Sequence, residues 1–163
     1  MLPLLSEGTK MTYLKCEDYL PHRPPMVLLD NVEEIGDDYA VCSCIVSPDA
    51  ALGPFITDKG VPSYIILELF SQTVGVWSGY QSLLRNIAIP PLGMVLGGRD
   101  FYCRDNYFSL NSTLTVKVTK IMDDNRLACF EGQLLLRDEV IAGGRVNVMR
   151  VSEQELERLF KRD

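Results

Sequence analysis

Histidine is nearly missing from this sequence: His22 is the only one in 163 residues. Without a companion at ligand spacing it argues against a zinc centre, and no other metal-ligating cluster is visible. The five cysteines, Cys16, Cys42, Cys44, Cys103 and Cys129, are odd in number and contain no C-x-x-C pair. A disulfide framework is therefore not expected, and the chain reads as a reduced, cytoplasmic protein. Positive charge is also in deficit, with 16 Lys+Arg against 22 Asp+Glu and a net charge of −6. That balance excludes the broad basic face a nucleic-acid partner needs. An acidic partner would require a local patch, such as Arg99, Arg104 and Arg126 converging. No apolar run is long enough to span a membrane. The start Met1-Leu2-Pro3-Leu4-Leu5 is too short for a signal peptide and lacks a basic flank. Translation starts at Met1 or Met11, and the sequence leaves both open. There are no internal repeats and no linker.

What is present is enough for one domain over 1–163 with a proper core: 47% of residues are hydrophobic and 23% charged. Residues 1–12 read as a loose tail. The chain is organised around 60–84, the longest helical pattern without a breaker. Pro62 suits a first helical turn, where its missing N–H costs nothing. Past it, Ile65, Ile66, Leu67, Leu69, Phe70, Val74, Val76, Trp77, Tyr80, Leu83 and Leu84 surround most of the helix, which predicts a buried element. Ser71, Gly75, Ser78 and Gly79 form a small-residue stripe that lets another backbone approach. Into this run the sequence places one carboxylate, Glu68, with Gln72 one turn later on the same face. A buried acid costs several kcal/mol as an unpaired ion. Glu68 is thus either a structural residue bonded to backbone or Gln72, or a working group.

The flanks read as strands and turns. One helical turn over 14–19 runs into Leu20-Pro21-His22-Arg23-Pro24-Pro25, whose prolines forbid regular helix. Strands are expected over 26–35 and 39–47, the second with strict alternation. A loop covers 49–59, and 86–91 is a turn-rich connection. Four more strands are expected over 93–104, 112–121, 126–136 and 140–151, as an antiparallel meander. Ser152-Glu153-Gln154-Glu155 is a capping box that opens a short C-terminal helix within 152–163. About six strands suffice to wrap one buried helix. The class is α+β, a curled antiparallel sheet around a long central helix, which is the hotdog fold.

Two stretches narrow this to a resemblance. Tyr19-Leu20-Pro21-His22-Arg23-Pro24-Pro25-Met26-Val27-Leu28-Leu29-Asp30-Asn31-Val32 is similar to the Leu-Pro-His-Arg-x-Pro-(apolar)4-Asp-x-Val signature of bacterial 3-hydroxyacyl-(acyl carrier protein) dehydratases. Pro62-(x)5-Glu68-(x)3-Gln72 resembles the same family's helix pattern, Pro-Gly-(apolar)4-Glu-x-x-x-Gln. The likeness spans roughly 13–151. Gln72-Thr73-Val74-Gly75-Val76-Trp77-Ser78-Gly79, followed by Gly93-Met94-Val95-Leu96-Gly97-Gly98-Arg99, is most similar to the dehydratase-like proteins of aryl-polyene gene clusters.

The resemblance implies loss of water from a 3-hydroxyacyl thioester carried on acyl carrier protein, in fatty-acid-like or aryl-polyene synthesis, with no metal or dissociable cofactor. It makes Glu68 the acid that protonates the departing hydroxyl. Gln72 orients it, and N–H groups at Ser63 and Tyr64 hold the thioester oxygen, helped by the helix dipole. A carboxyl ringed by Ile65, Leu67, Leu69 and Phe70 is expected to have a raised pKa. Two departures stand out. The family's glycine after the proline is Ser63 here. Its catalytic histidine, in Gly-His-Phe fourteen residues before the glutamate, is replaced by Pro54 within Gly53-Pro54-Phe55.

Proline cannot accept a proton. The base is then His22, whose other reading is a turn-fixing hydrogen bonder, or a histidine of a partner subunit. Family members act as dimers, so either a homodimer or a heterodimer with a histidine-bearing homologue is implied. Two alternatives stay open: a catalytically silent scaffold subunit, and a hotdog acyl thioesterase using the helix carboxylate to activate water. Nucleophilic catalysis by a cysteine is disfavoured, because no base neighbours any of them in sequence.

Overall fold

The computed structural model describes residues 11–88 and 90–161. The loose tail expected over 1–12 thus falls almost wholly outside the described residues. A single turn, α1 (Cys16–Tyr19), leads through the proline-rich segment to a hairpin, β1 (Asn31–Ile35) and β2 (Tyr39–Ile45). A 3-10 turn (Gly53–Phe55) and the two-residue β3 (Val61–Pro62) precede a second 3-10 turn (Ser63–Ile65) and the 19-residue α2 (Ile66–Leu84). Then come β4 (Leu92–Cys103), β5 (Tyr107–Phe108), β6 (Thr113–Asp123), β7 (Leu127–Leu136), β8 (Glu139–Val151) and α3 (Glu153–Phe160).

Six strands form one antiparallel sheet in the order β1-β2-β6-β7-β8-β4 around α2, while β3 and β5 pair separately. The expected four-strand meander is corrected here. Only β6-β7-β8 is a meander, and β4 crosses to pair with β8 at the outer edge. After α2 the chain runs on to the outer edge of the sheet, so β6 is left to pair with β2 and β7. The strand expected over 26–35 also shortens to Asn31–Ile35. Before it, the Leu28 N–H and the Met26 carbonyl are both taken by the Gln72 side chain, not by a neighbouring strand.

Pro62 lies one step before the helical turns, in extended backbone (φ −62°, ψ 138°) opposite Tyr107. Its fixed φ is common to both conformations, and at the end of a two-residue ladder its absent N–H costs nothing. α2 ends in a Schellman motif. Asn86 takes a left-handed φ of 53°, and the N–H groups of Asn86 and Ile87 return to Leu83 O and Ser82 O.

The core joins α2 residues Ile66, Leu69, Phe70, Val74, Val76 and Trp77 to inward positions of β2, β6, β7 and β8. Trp77 meets the Phe130 ring edge-on at 5.3 Å. Two glycines permit closest approach. A Cβ on Gly132 would sit 2.4 Å from the Phe70 ring, and one on Gly79 only 2.2 Å from Tyr19 O. The helix is not buried all round, however. Leu67, Leu83 and Leu84 are exposed, as is Tyr64 just before it. Leu67 shares that outward face with Tyr64 and Ser71, at spacings of three and four residues.

Candidate active site

Gln72 is the fixed point from which the site is built. Although 1% exposed, its amide is fully bonded: Oε1 accepts from Leu28 N at 2.8 Å, and Nε2 donates to Met26 O at 2.7 Å and Glu68 Oε1 at 2.9 Å. The two backbone partners dictate which end of the amide faces Glu68. One turn of α2 thereby holds the carboxylate in a single place.

Opposite lies His22, with Nε2 3.7 Å from Glu68 Oε1 and Nδ1 buried without a partner. Its loop is fixed by Arg23, which donates to Glu17 O, Leu20 O and His22 O at 3.0, 3.0 and 2.7 Å. Asp30 closes the other end, accepting from Ile45 N at 2.7 Å and Ala51 N at 2.9 Å. The Glu68 and His22 side chains are 46% and 36% exposed. The expectation of a carboxyl ringed by apolar side chains is thus corrected. Ile65, Leu69 and Phe70 turn into the core, Leu67 turns outward, and Glu68 stands between them at a cavity mouth.

That cavity, about 370 Å³, runs from His22 and Glu68 along Ser71, Val74, Gly75 and Ser78 of α2 to Trp77, Phe130, Val148 and Arg150. The sequence stripe Ser71, Gly75, Ser78 and Gly79 forms much of its helix wall. Gly79 also admits the α1 backbone, whereas a Cβ on Gly75 would meet Leu20 Cδ2.

The remaining candidates lie elsewhere in the lone chain. Ser63 and Tyr64 border a separate shallow groove with Lys59, Phe101, Tyr102 and Tyr107. The Ser63 N–H, expected as an oxyanion donor, is already given to Asn106 O at 2.9 Å, which leaves Tyr64 as the donor expected at that helix start. Pro54 is exposed on its 3-10 turn, and Phe55 packs against the core; neither lines the cavity at Glu68. Arg99, Arg104 and Arg126 do not converge, since Arg104 pairs with Asp105 and Glu139 while Arg126 pairs with Glu155. Cys42 and Cys44 are fully buried. The hydrogen bond with Cys16 and burial push the Cys42 thiol up, and burial does the same to Cys44, so both stay protonated. Among the described residues no cluster of three or more His, Cys, Asp or Glu could hold a metal ion, and no helix is long and apolar enough to cross a membrane. Sequence reasoning missed the backbone clamp on Gln72, because Met26 and Leu28 lie more than forty residues away.

A long helix inside a curled antiparallel sheet, with a carboxylate standing at a cavity beside it, defines a hotdog protein. A family model described as "ApeP-like: ApeP dehydratase" matches residues 14–161, and the chain belongs to that family of dehydratases. The dehydratase heterocomplex ApeI:P from Xenorhabdus doucetiae superposes with a TM-score of 0.88 at 35% identity, over 93% of this chain and 100% of that one. A hypothetical thioesterase with coenzyme A from Streptococcus pneumoniae TIGR4 matches with a TM-score of 0.57 at 11% identity, over 75% of this chain and 85% of that one. The E. coli PaaI protein from the phenylacetic acid degradation operon gives 0.57 and 11%, over 74% and 82%. These last two share the fold alone. No curated protein matches.

Proposed function

We propose that this chain is one half of a heterodimeric dehydratase acting on 3-hydroxyacyl thioesters carried by acyl carrier protein. The observation that carries the reading is the contrast between Glu68, held by Gln72 at the cavity mouth, and Pro54 where the family has its histidine. A partner's histidine removes a proton from C2, and the charge that develops spreads onto the thioester oxygen. Glu68 gives its proton to the 3-hydroxyl, the C3–O bond breaks, and water leaves with a C2–C3 double bond behind it. The Tyr64 N–H faces the growing oxyanion charge. The histidine then releases its proton and Glu68 takes one back, which resets both groups for the next turnover.

The partner is a hotdog homologue that keeps Gly-His-Phe. Two features of this chain suit such a neighbour: the outward Tyr64–Leu67 face beside Glu68, and β4. That strand is an outer edge carrying exposed Leu92, Val95 and Leu96, and an apolar edge of this kind invites pairing. The ApeI:P heterocomplex supports a heteromeric partnership by analogy. Exclusion of water around Glu68 would then come from the second subunit.

The test is dehydration of a 3-hydroxyacyl-carrier-protein substrate, read by intact mass. The lone chain is expected to be silent, the reconstituted pair active, and the pair with Glu68→Ala reduced by roughly a hundredfold or more. Full activity of the Glu68→Ala pair would sink the proposal. One observation favours a second reading, with His22 as base: its Nε2 lies 3.7 Å from Glu68 within the same chain. Turnover by the lone chain, abolished by His22→Ala, selects that reading. Silence in both settings selects the scaffold alternative, and release of a free thiol the thioesterase.

A further inference from the structure

The cavity at Glu68 does not end at Trp77. A second cavity, about 220 Å³, shares Trp77, Ser78, Pro91 and Arg150 with it. Their characters differ. The first is walled near the junction by Val74, Trp77, Phe130 and Val148, whereas the second is bordered by Gln81, Arg85, Lys120, Asp123 and Asn125. Both open to solvent. A passage that is apolar in the middle and polar at both mouths suits a long chain with a wet end on each side. An acyl group confined to a blind pocket would have no use for the polar far end.

Resting on the dehydratase reading above, we infer that the two cavities form one through-passage for long acyl chains, with Ser78 as the residue that decides whether a chain can pass. From Glu68 to Ser78 the helix rises about 15 Å. Three bonds of an extended chain cover about 3.5 Å, so roughly a dozen bonds carry an acyl chain from the reacting carbons to Ser78. Shorter chains end inside the apolar section. Longer ones emerge beside Gln81 and Asn125, where the distal end meets water. Arg150 lines both cavities at their junction, and Asp123 holds both its terminal nitrogens in one place, at 2.6 and 2.7 Å.

The chain's single tryptophan lines both cavities, which supplies a readout independent of turnover. A conjugated C18 tetraenoic fatty acid bound in the passage quenches Trp77 by energy transfer. It is then displaced by pantetheine thioesters of docosanoic acid and of docosanedioic acid, which differ only in a distal carboxylate and are long enough to pass Ser78. If the far end is open, the two displace it within about threefold of each other. If it is blind, burying the distal carboxylate weakens the diacid by roughly a hundredfold or more, and the inference is overturned. In Ser78→Leu the ratio of affinities for sixteen-carbon and eight-carbon thioesters is expected to fall about tenfold, while Ser78→Ala keeps it. A ratio unchanged in Ser78→Leu overturns the assignment of Ser78. Because binding is read without chemistry, a failure of the dehydratase reading appears only in the mass assay, and a failure of the passage only here.

Discussion

Replacing Gln72 by leucine should destabilise the lone chain far more than changing Glu68, although Glu68 is the residue with the proposed chemistry. The Leu28 N–H loses its only acceptor, and Leu28 is 1% exposed. Water cannot reach it, so the cost is about 1–3 kcal/mol. The Met26 carbonyl loses a 2.7 Å bond, but Met26 is 53% exposed and water replaces the donor at a cost of about 0.5–1 kcal/mol. Leucine fills most of the space, so little cavity cost adds to this. The sum is about 1.5–4 kcal/mol, and at about 2–4 °C per kcal/mol for a domain of this size the midpoint falls by about 3–16 °C. Thermal unfolding followed by circular dichroism, with urea melts checked for an unchanged slope, measures it. Glu68→Gln leaves the backbone clamp in place and should stay within about 0.5 kcal/mol of wild type. A Gln72→Leu loss below about 0.5 kcal/mol, or equal losses for the two variants, would refute the claim that Gln72 anchors α2 to the 26–28 segment.

Other perturbations follow from the same geometry. Gly79→Ala places a methyl 2.2 Å from Tyr19 O, and because the obstacle is backbone it should cost about 1–3 kcal/mol by the same melts, against near neutrality if α1 simply gives way. The Arg150 guanidinium holds the Asp123 carboxyl down at about 2, below the ordinary value near 4. Its stabilisation is therefore complete above about pH 4 and disappears as pH falls through about 2. With the pair part-buried, about 1–2 kcal/mol of acid-labile stability should vanish in Asp123→Asn, whose urea midpoint should vary less than wild type between pH 5 and 2.5.

Much of this molecule is local enough to be legible in sequence. The alternation of Ala40, Cys42, Cys44 and Val46, the turn residues around 105, 124 and 138, and the capping box at Ser152 act over a few residues, and strands and α3 form where they point. The apolar content of 60–84 likewise marks the central helix. What pairs with what is decided by tertiary structure, because it depends on closing long loops. Only the folded sheet sends β4 across to β8, uses the 26–28 backbone to clamp Gln72 and spends the Ser63 N–H on Asn106. Sequence read Glu68 as buried because eleven apolar residues surround it along the helix. Burial is a property of what packs against each side of that helix, and in the single chain the His22 loop only partly covers the side that carries Glu68, leaving the carboxylate about half exposed. Hydrophobicity along the chain specifies that α2 is central; which of its faces stays open, and hence where a substrate or a partner can reach the carboxylate, is set only when the sheet has wrapped the other sides.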